Sequence, residues 1–170
     1  LMQCRWGTHG DHPIITLSPS SVEETYTLIM EAFTLAESYR TPVIFLMDEM
    51  IGHLRAGVAL PELPEPPRLN CEFYKTAPYC TEPGEYVPHM PPIGYGQRYN
   101  ITGLIHDESG FPTNSNAECE RLLTRLNDKI EKNLDDTCRS EEYLTGDADV
   151  LIACFGGAAL AVRAAVDMLR

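Results

Sequence analysis

The chain has 170 residues, with 13 Lys and Arg against 25 Asp and Glu, for a net charge of −12 and a pI near 4.7. Apolar residues make up 44% and charged residues 22%, enough to bury a core, which excludes a disordered chain. The acid excess excludes a nucleic-acid binder, which needs cationic surface to displace phosphate counterions, and the longest apolar run, Val150 to Val162, is too short to cross a membrane.

The chain opens on a dense polar run, Gln3-Cys-Arg-Trp-Gly-Thr-His-Gly-Asp-His12, with no apolar stretch of the kind a signal peptide needs. It closes at Arg170 on a helix-like run without a stop signal, so a piece of a longer chain is expected. The six cysteines contain no C-x-x-C pair. That argues against a zinc ribbon or a ferredoxin-type cluster. Without a secretion signal, reduced thiols and a cytoplasmic location are expected.

The first elements read as a βαβ unit. Ile14 to Leu17 is a short apolar run. Ser20 and Ser21, with glutamate three residues on, form a capping box. Val22, Tyr26, Ile29, Phe33 and Ala36 then recur at helical spacing. Thr41-Pro42 stops the helix, because the residue before proline avoids the α region. Val43 to Met47 is unbroken apolar sequence, as expected of a parallel strand buried on both faces, and it ends at Asp48-Glu49. A right-handed crossover is expected between the two strands.

Nine of the 13 prolines then fall between Pro61 and Pro92, with five tyrosines from Tyr74 to Tyr99. No helical or alternating period survives there. So many aromatics point to an ordered, extended connection over residues 59–105 that wraps a surface. Next, Asn114-Ser115-Asn116 offers a helix cap, and Cys119, Leu122, Leu123, Leu126, Ile130 and Leu134 form one apolar face. Asp149 to Phe155 reads as a buried strand, Gly156-Gly157 as a tight turn, and Ala158 to Arg170 as an Ala-rich helix. Helix, strand, Gly-Gly turn and helix read as the opening of a second α/β domain.

Several residues could carry chemistry. The strand, Gly-Gly and helix at 149–170 resemble the start of a nucleotide-binding fold, where helix N-terminal amides hold phosphate. The full G-x-G-x-x-G pattern is missing, and plain strand-to-helix packing is the preferred reading. His9, Asp11 and His12, with His53 further on, do not give the ligand spacing of a zinc site, so no metal is assigned. Arg5 is one of three cations among the first 55 residues, against seven acids. A lone Arg there is either a salt-bridge partner or the group that forks a carboxylate bidentately. Asp48 and Glu49, at a strand end, either position a ligand or cap the next turn.

Taken together, Arg5-Trp-Gly-Thr-His-Gly-Asp-His12, Leu17-Ser-Pro-Ser-Ser-Val-Glu23, Tyr39-Arg-Thr-Pro-Val43 and Asp48-Glu-Met-Ile-Gly-His53 strongly resemble the α subunit of 2-oxoacid:ferredoxin oxidoreductases, the 2-oxoglutarate type above all. The likeness continues through Ile101-Thr-Gly-Leu-Ile-His-Asp-Glu108, Gly110-Phe-Pro112 and Arg125-Leu-Asn-Asp-Lys-Ile130.

The resemblance implies an α/β fold in three parts. Residues 1–58 would be the C-terminal part of a transketolase-type, pyrimidine-binding thiamine domain. Residues 59–105 would be the Pro/Tyr-rich connection, and residues 106–170 the truncated start of a transketolase-C-terminal-like domain. It implies thiamine diphosphate with Mg, shared with a β subunit, an iron–sulfur cluster on another subunit, and coenzyme A as co-substrate. The reaction implied is oxidative decarboxylation of a 2-oxoacid, with ferredoxin taking the electrons. In related pyruvate oxidoreductases, a Cys-Arg pair ahead of a Ser-Ser-Val-Gln-Glu motif binds the substrate carboxylate. Here Cys4-Arg5 precedes Ser20-Ser-Val-Glu-Glu24, which assigns that role to Arg5.

On the same footing Gly7, Thr8, His9, Gly10 and Asp11 would shape the loop beside the substrate. Asp48, Glu49 and His53 would buttress the site or the β-subunit interface. The glutamate that activates the aminopyrimidine belongs upstream of Leu1, so no catalytic residue and no cofactor contact is assigned within the chain. After Gly156 the sequence reads Gly-Ala-Ala-Leu-Ala-Val-Arg, where relatives carry Ser and Arg. Ferredoxin and coenzyme A are both anionic, so an acidic stretch is a poor dock for either, and other subunits are expected to bind them. Two alternatives stand beside this reading: a pyruvate or branched-chain 2-oxoacid oxidoreductase subunit, and a non-catalytic α/β module that binds a partner through its Pro/Tyr-rich arm.

Overall fold

A computed structural model of the chain describes residues 2–7, 12–62, 77–94 and 96–170. A short helix, α1 (Met2–Trp6), precedes strand β1 (Ile15–Leu17), helix α2 (Val22–Tyr39) and strand β2 (Val43–Phe45). The strands pair in parallel, Ile15 opposite Val43 and Leu17 opposite Phe45, so the expected βαβ unit forms.

Its boundaries follow the sequence signals. Ser21 caps α2 by accepting from the Glu24 amide at 3.1 Å, while the Glu24 carboxylate reaches back to the Ser20 amide at 2.7 Å. The first half of the capping box is therefore made, while the glutamate's return bond goes to the residue before the N-cap. At the other end Arg40 takes a left-handed conformation, φ 44°, and turns the chain into Thr41-Pro42. Ile15, Leu17, Ala32 and Leu35 form the buried core, with Tyr39, Val43, Phe45 and Ile130 packed against it.

Three expectations fail. Val43, Ile44 and Phe45 are half-buried, not enclosed on both faces. Among the described residues the sheet is only two strands wide, too narrow for neighbouring side chains to close over both faces. The stretch Asp149 to Phe155 forms no strand. A strand exists only as a paired element, and no described strand lies beside it. Val150 and Leu151 are consequently 79% and 70% exposed. Leu134 does not continue the long helix. Helix α4 spans Asn116–Glu131, and Leu134 opens a separate short helix, α5 (Leu134–Thr137).

Between the βαβ unit and α4 lie helix α3 (Glu49–His53) and the segment rich in proline. Of the expected connection, residues 63–76 and 95 lie outside the described residues, and the rest holds turns without helix or strand. This part leans on the helices through backbone carbonyls. Arg40 Nη2 donates to the Met90 carbonyl at 3.2 Å and Arg125 Nη1 to the Tyr86 carbonyl at 3.3 Å. A tight reversal follows, with a single bridge between His106 and Pro112. Asp107 Oδ1 accepts from the Ser109 and Phe111 amides. Gly110 has φ +87°, and a β-carbon there would run into the Asn100 carbonyl and the Tyr79 ring, so only glycine fits.

Helix α6 (Ala158–Leu169) closes the described chain and buries none of its residues. No described helix is long and apolar enough to cross a membrane.

Candidate functional site

Arg5 stands on α1, not in the loop its glycine-rich surroundings suggested. It is exposed, with its guanidinium 4.8 Å from the centroid of the Trp6 ring. It makes no ion pair among the described residues, unlike Arg121, Arg139, Arg163 and Arg170. A guanidinium at that distance from an indole face makes a cation–π contact. Gly7 follows with open space where a β-carbon would stand. Thr8, His9, Gly10 and Asp11 lie outside the described residues.

Asp48 occupies the N-cap position of α3, yet its side chain makes no cap hydrogen bond. Its carboxylate instead accepts from the Gly157 amide, across 109 residues of sequence. The cap foreseen as one alternative for Asp48 is not made by its side chain. The carboxylate clamps the Gly-Gly turn to the end of β2. Gly156 has φ +64°, and a β-carbon there would sit 2.7 Å from Asp48 Oδ2 and 3.3 Å from Ser18 Oγ. The glycines thus serve close packing, as the missing Gly pattern implied. A carboxylate occupies the amide that a phosphate would use. Glu49 and His53 face each other one turn apart, Nε2 to Oε1 3.9 Å, and both are open to solvent. No hydrogen bond or ion pair joins Arg5 to Asp48, Glu49 or His53 among the described residues.

A second group of cations was not foreseen. Arg121, Arg125 and Lys129 are spaced four residues apart on α4. Arg121 is satisfied by Glu108 at 2.8 Å and Glu118 at 2.7 Å, which raise its pKa, the Glu118 hydrogen bond most. Arg125 is pushed down by burial and then by Arg121. Lys129 is only 4% exposed. Burial, and then the charge of Arg125, bring its ammonium down to about 8. The sequence held a signal for this. Lys129 stands seven residues after Leu122 and three after Leu126, in phase with the apolar face of α4.

Compared with known proteins, residues 1–124 match the family described as "Pyruvate flavodoxin/ferredoxin oxidoreductase, thiamine diP-bdg". The chain belongs to this family, whose members bind thiamine diphosphate. Among curated proteins it is 42% identical to the 2-oxoglutarate synthase subunit KorA of Methanothermobacter marburgensis, over 100% of this chain and 46% of that protein. It is 41% identical to the subunit of the same name from Methanocaldococcus jannaschii, again over 100% of this chain and 46% of the relative. Identity falls to 31% against the ketoisovalerate oxidoreductase subunit VorB of Methanothermobacter thermautotrophicus, over 96% of this chain and 40% of that protein. The chain therefore spans about half the length of the curated relatives it matches. No solved structure matches it.

The described residues do not form a diphosphate cradle. The Gly157 amide at the start of α6 is taken by Asp48, and no group of three or more His, Cys, Asp or Glu among the described residues could hold the accompanying metal ion.

Proposed function

We propose that the chain is part of the α subunit of a thiamine-diphosphate-dependent 2-oxoacid:ferredoxin oxidoreductase acting on 2-oxoglutarate. The observation that carries this is the 42% identity along the whole chain to a 2-oxoglutarate synthase subunit, against 31% to the ketoisovalerate counterpart. In this reading the cofactor with its Mg is shared with a β subunit, which would supply the diphosphate and metal contacts. An iron–sulfur cluster on another subunit passes electrons to ferredoxin, and coenzyme A takes the acyl group. The whole complex works in the cytoplasm. When bound, thiamine diphosphate supplies the nucleophilic carbon and the electron sink.

The chain's own contribution is positioning. Residues 1–58 complete the pyrimidine domain and 106–170 begin the next one, with 59–105 between them. Arg5, without a carboxylate partner among the described residues and beside the Trp6 ring, would bind the carboxylate next to the substrate ketone, and Gly7, Thr8, His9, Gly10 and Asp11 would shape the loop next to it. Asp48 acts at a distance, by fixing the turn before α6. Glu49 and His53, exposed on α3, face the β subunit.

The test is Arg5→Ala in the full complex, assayed by 2-oxoglutarate-dependent viologen reduction. Loss of a charge-assisted bidentate contact costs about 2–4 kcal/mol, so KM should rise about 30- to 1000-fold. Arg5→Lys, a point charge without the fork, should recover little of this. An unchanged KM in Arg5→Ala would exclude Arg5 from the substrate site.

A further inference from the structure

Between the C-terminal end of α2, the segment around residues 88–106 and α4 lies an open cleft of about 700 Å³. Arg40, Arg125 and Lys129 all line it, and no Asp or Glu does among the described residues. In a chain of net charge −12, three cations gathered without a carboxylate need a reason.

Among the described residues their hydrogen-bond partners are backbone carbonyls. Lys129 Nζ donates to the Arg40 carbonyl at 3.5 Å, the outer limit of a hydrogen bond, though an ammonium has three protons to place. Arg40 reaches the Met90 carbonyl and Arg125 the Tyr86 carbonyl. The acid that attracts Arg125, Glu108, is already committed to Arg121. Lys129 is thus a charged group with an exposure of only 4%, and it has no counter-ion among the described residues. Buried charges are ordinarily paired. Beside the polar His12, Tyr79, Thr102 and His106, the wall carries an apolar stretch that includes Leu104, Ile105 and Leu126, which suits the organic body of a ligand better than a bare ion.

We propose that this cleft binds a small organic oxyanion, its carboxylate or phosphate head on Lys129, Arg125 and Arg40 and its apolar body against Leu104, Ile105 and Leu126. The ligand supplies the negative charge that the described lining lacks. The role is separate from that of Arg5, which does not line the cleft, and it does not depend on the reaction assigned above. A carboxylate and a phosphate ester share the recognising chemistry, so the probes are hexanoate, hexyl phosphate and inorganic phosphate.

The experiment is calorimetric titration of the full-length protein in its complex with each probe. Saturable binding of hexanoate or hexyl phosphate is expected, about tenfold or more tighter than inorganic phosphate, because the apolar wall contributes. The tighter of the two heads identifies the class of anion. Lys129→Met should weaken binding about ten- to a hundredfold, as loss of a charge-assisted bond does, while Lys129→Arg and Arg5→Ala keep it within about threefold. Should Lys129→Met fail to fold, Arg125→Gln carries the same expectation. A structural role predicts a different pattern: Lys129→Met would lower the ligand-free melting temperature by loosening α4 from Arg40. With a ligand role, removing an unpaired buried charge raises it. No saturable binding up to about 10 mM, where even a weak site shows, or equal affinity in the wild type and in the folded variant, overturns the proposal.

Discussion

The clamp between Asp48 and the Gly-Gly turn makes a quantitative test of how the two ends of the chain are joined. Gly156 sits at φ +64°, and the β-carbon of an alanine there would stand 2.7 Å from Asp48 Oδ2. The left-handed backbone alone costs a non-glycine residue about 1 kcal/mol. The carboxylate must also move away and release the Gly157 amide. That hydrogen bond is charge-assisted but solvent-exposed, so about 1 kcal/mol is a fair worth. Gly156→Ala should then cost about 2 kcal/mol and Asp48→Ala about 1 kcal/mol. The double variant has no clamp left to lose and should cost about 2 kcal/mol, not the additive 3, a coupling of about 1 kcal/mol. Hydrogen exchange across Ala158–Leu169, measured by mass spectrometry on the full-length protein, reads this as faster local opening. Costs that add to within about 0.3 kcal/mol would show that Asp48 does not hold the turn.

Three further outcomes follow from single groups. Lys129 is less basic folded than unfolded, about 8 against an ordinary 10.5. Below pH 8 both states carry the proton and the folded state bears the full burden of a buried charge, about 3 kcal/mol. Between pH 8 and 10 the unfolded chain binds more protons, so stability rises with pH. Urea midpoints should climb across that window in the wild type and stay flat in Lys129→Met. Tyr39 works in the opposite sense at higher pH. Burial, then its bond to Asp136, push its hydroxyl up to about 12, so its stabilisation fades only above pH 10. Ser21→Ala removes the acceptor for the Glu24 amide and should cost about 1 kcal/mol, checked by chemical denaturation. A cost below about 0.3 kcal/mol would mean that the Glu24 carboxylate alone holds the start of α2.

The sequence by itself determined the local elements, because their signals are local. Ser20, Ser21 and Glu24 name the start of α2, Thr41-Pro42 its end, and Ser115 the start of α4, where its hydroxyl accepts from the Glu118 amide at 3.4 Å. The long polar motifs around Arg5 and Asp48 were enough to indicate the family. What the sequence could not decide was where side chains at the ends of elements go. Asp48 is one residue from a helix start, and nothing nearby says that its carboxylate will travel to Gly157 instead of capping. Val150 to Phe155 has a strand's composition, but pairing is a property of two segments, and the second segment is not among those described. Lys129 shows the same limit most sharply. Its spacing placed it on the buried face of α4, yet its charge argued for solvent. Only the tertiary packing of α2, residues 77–106 and α4 turned a charged residue on a helix into a buried cation facing a cleft.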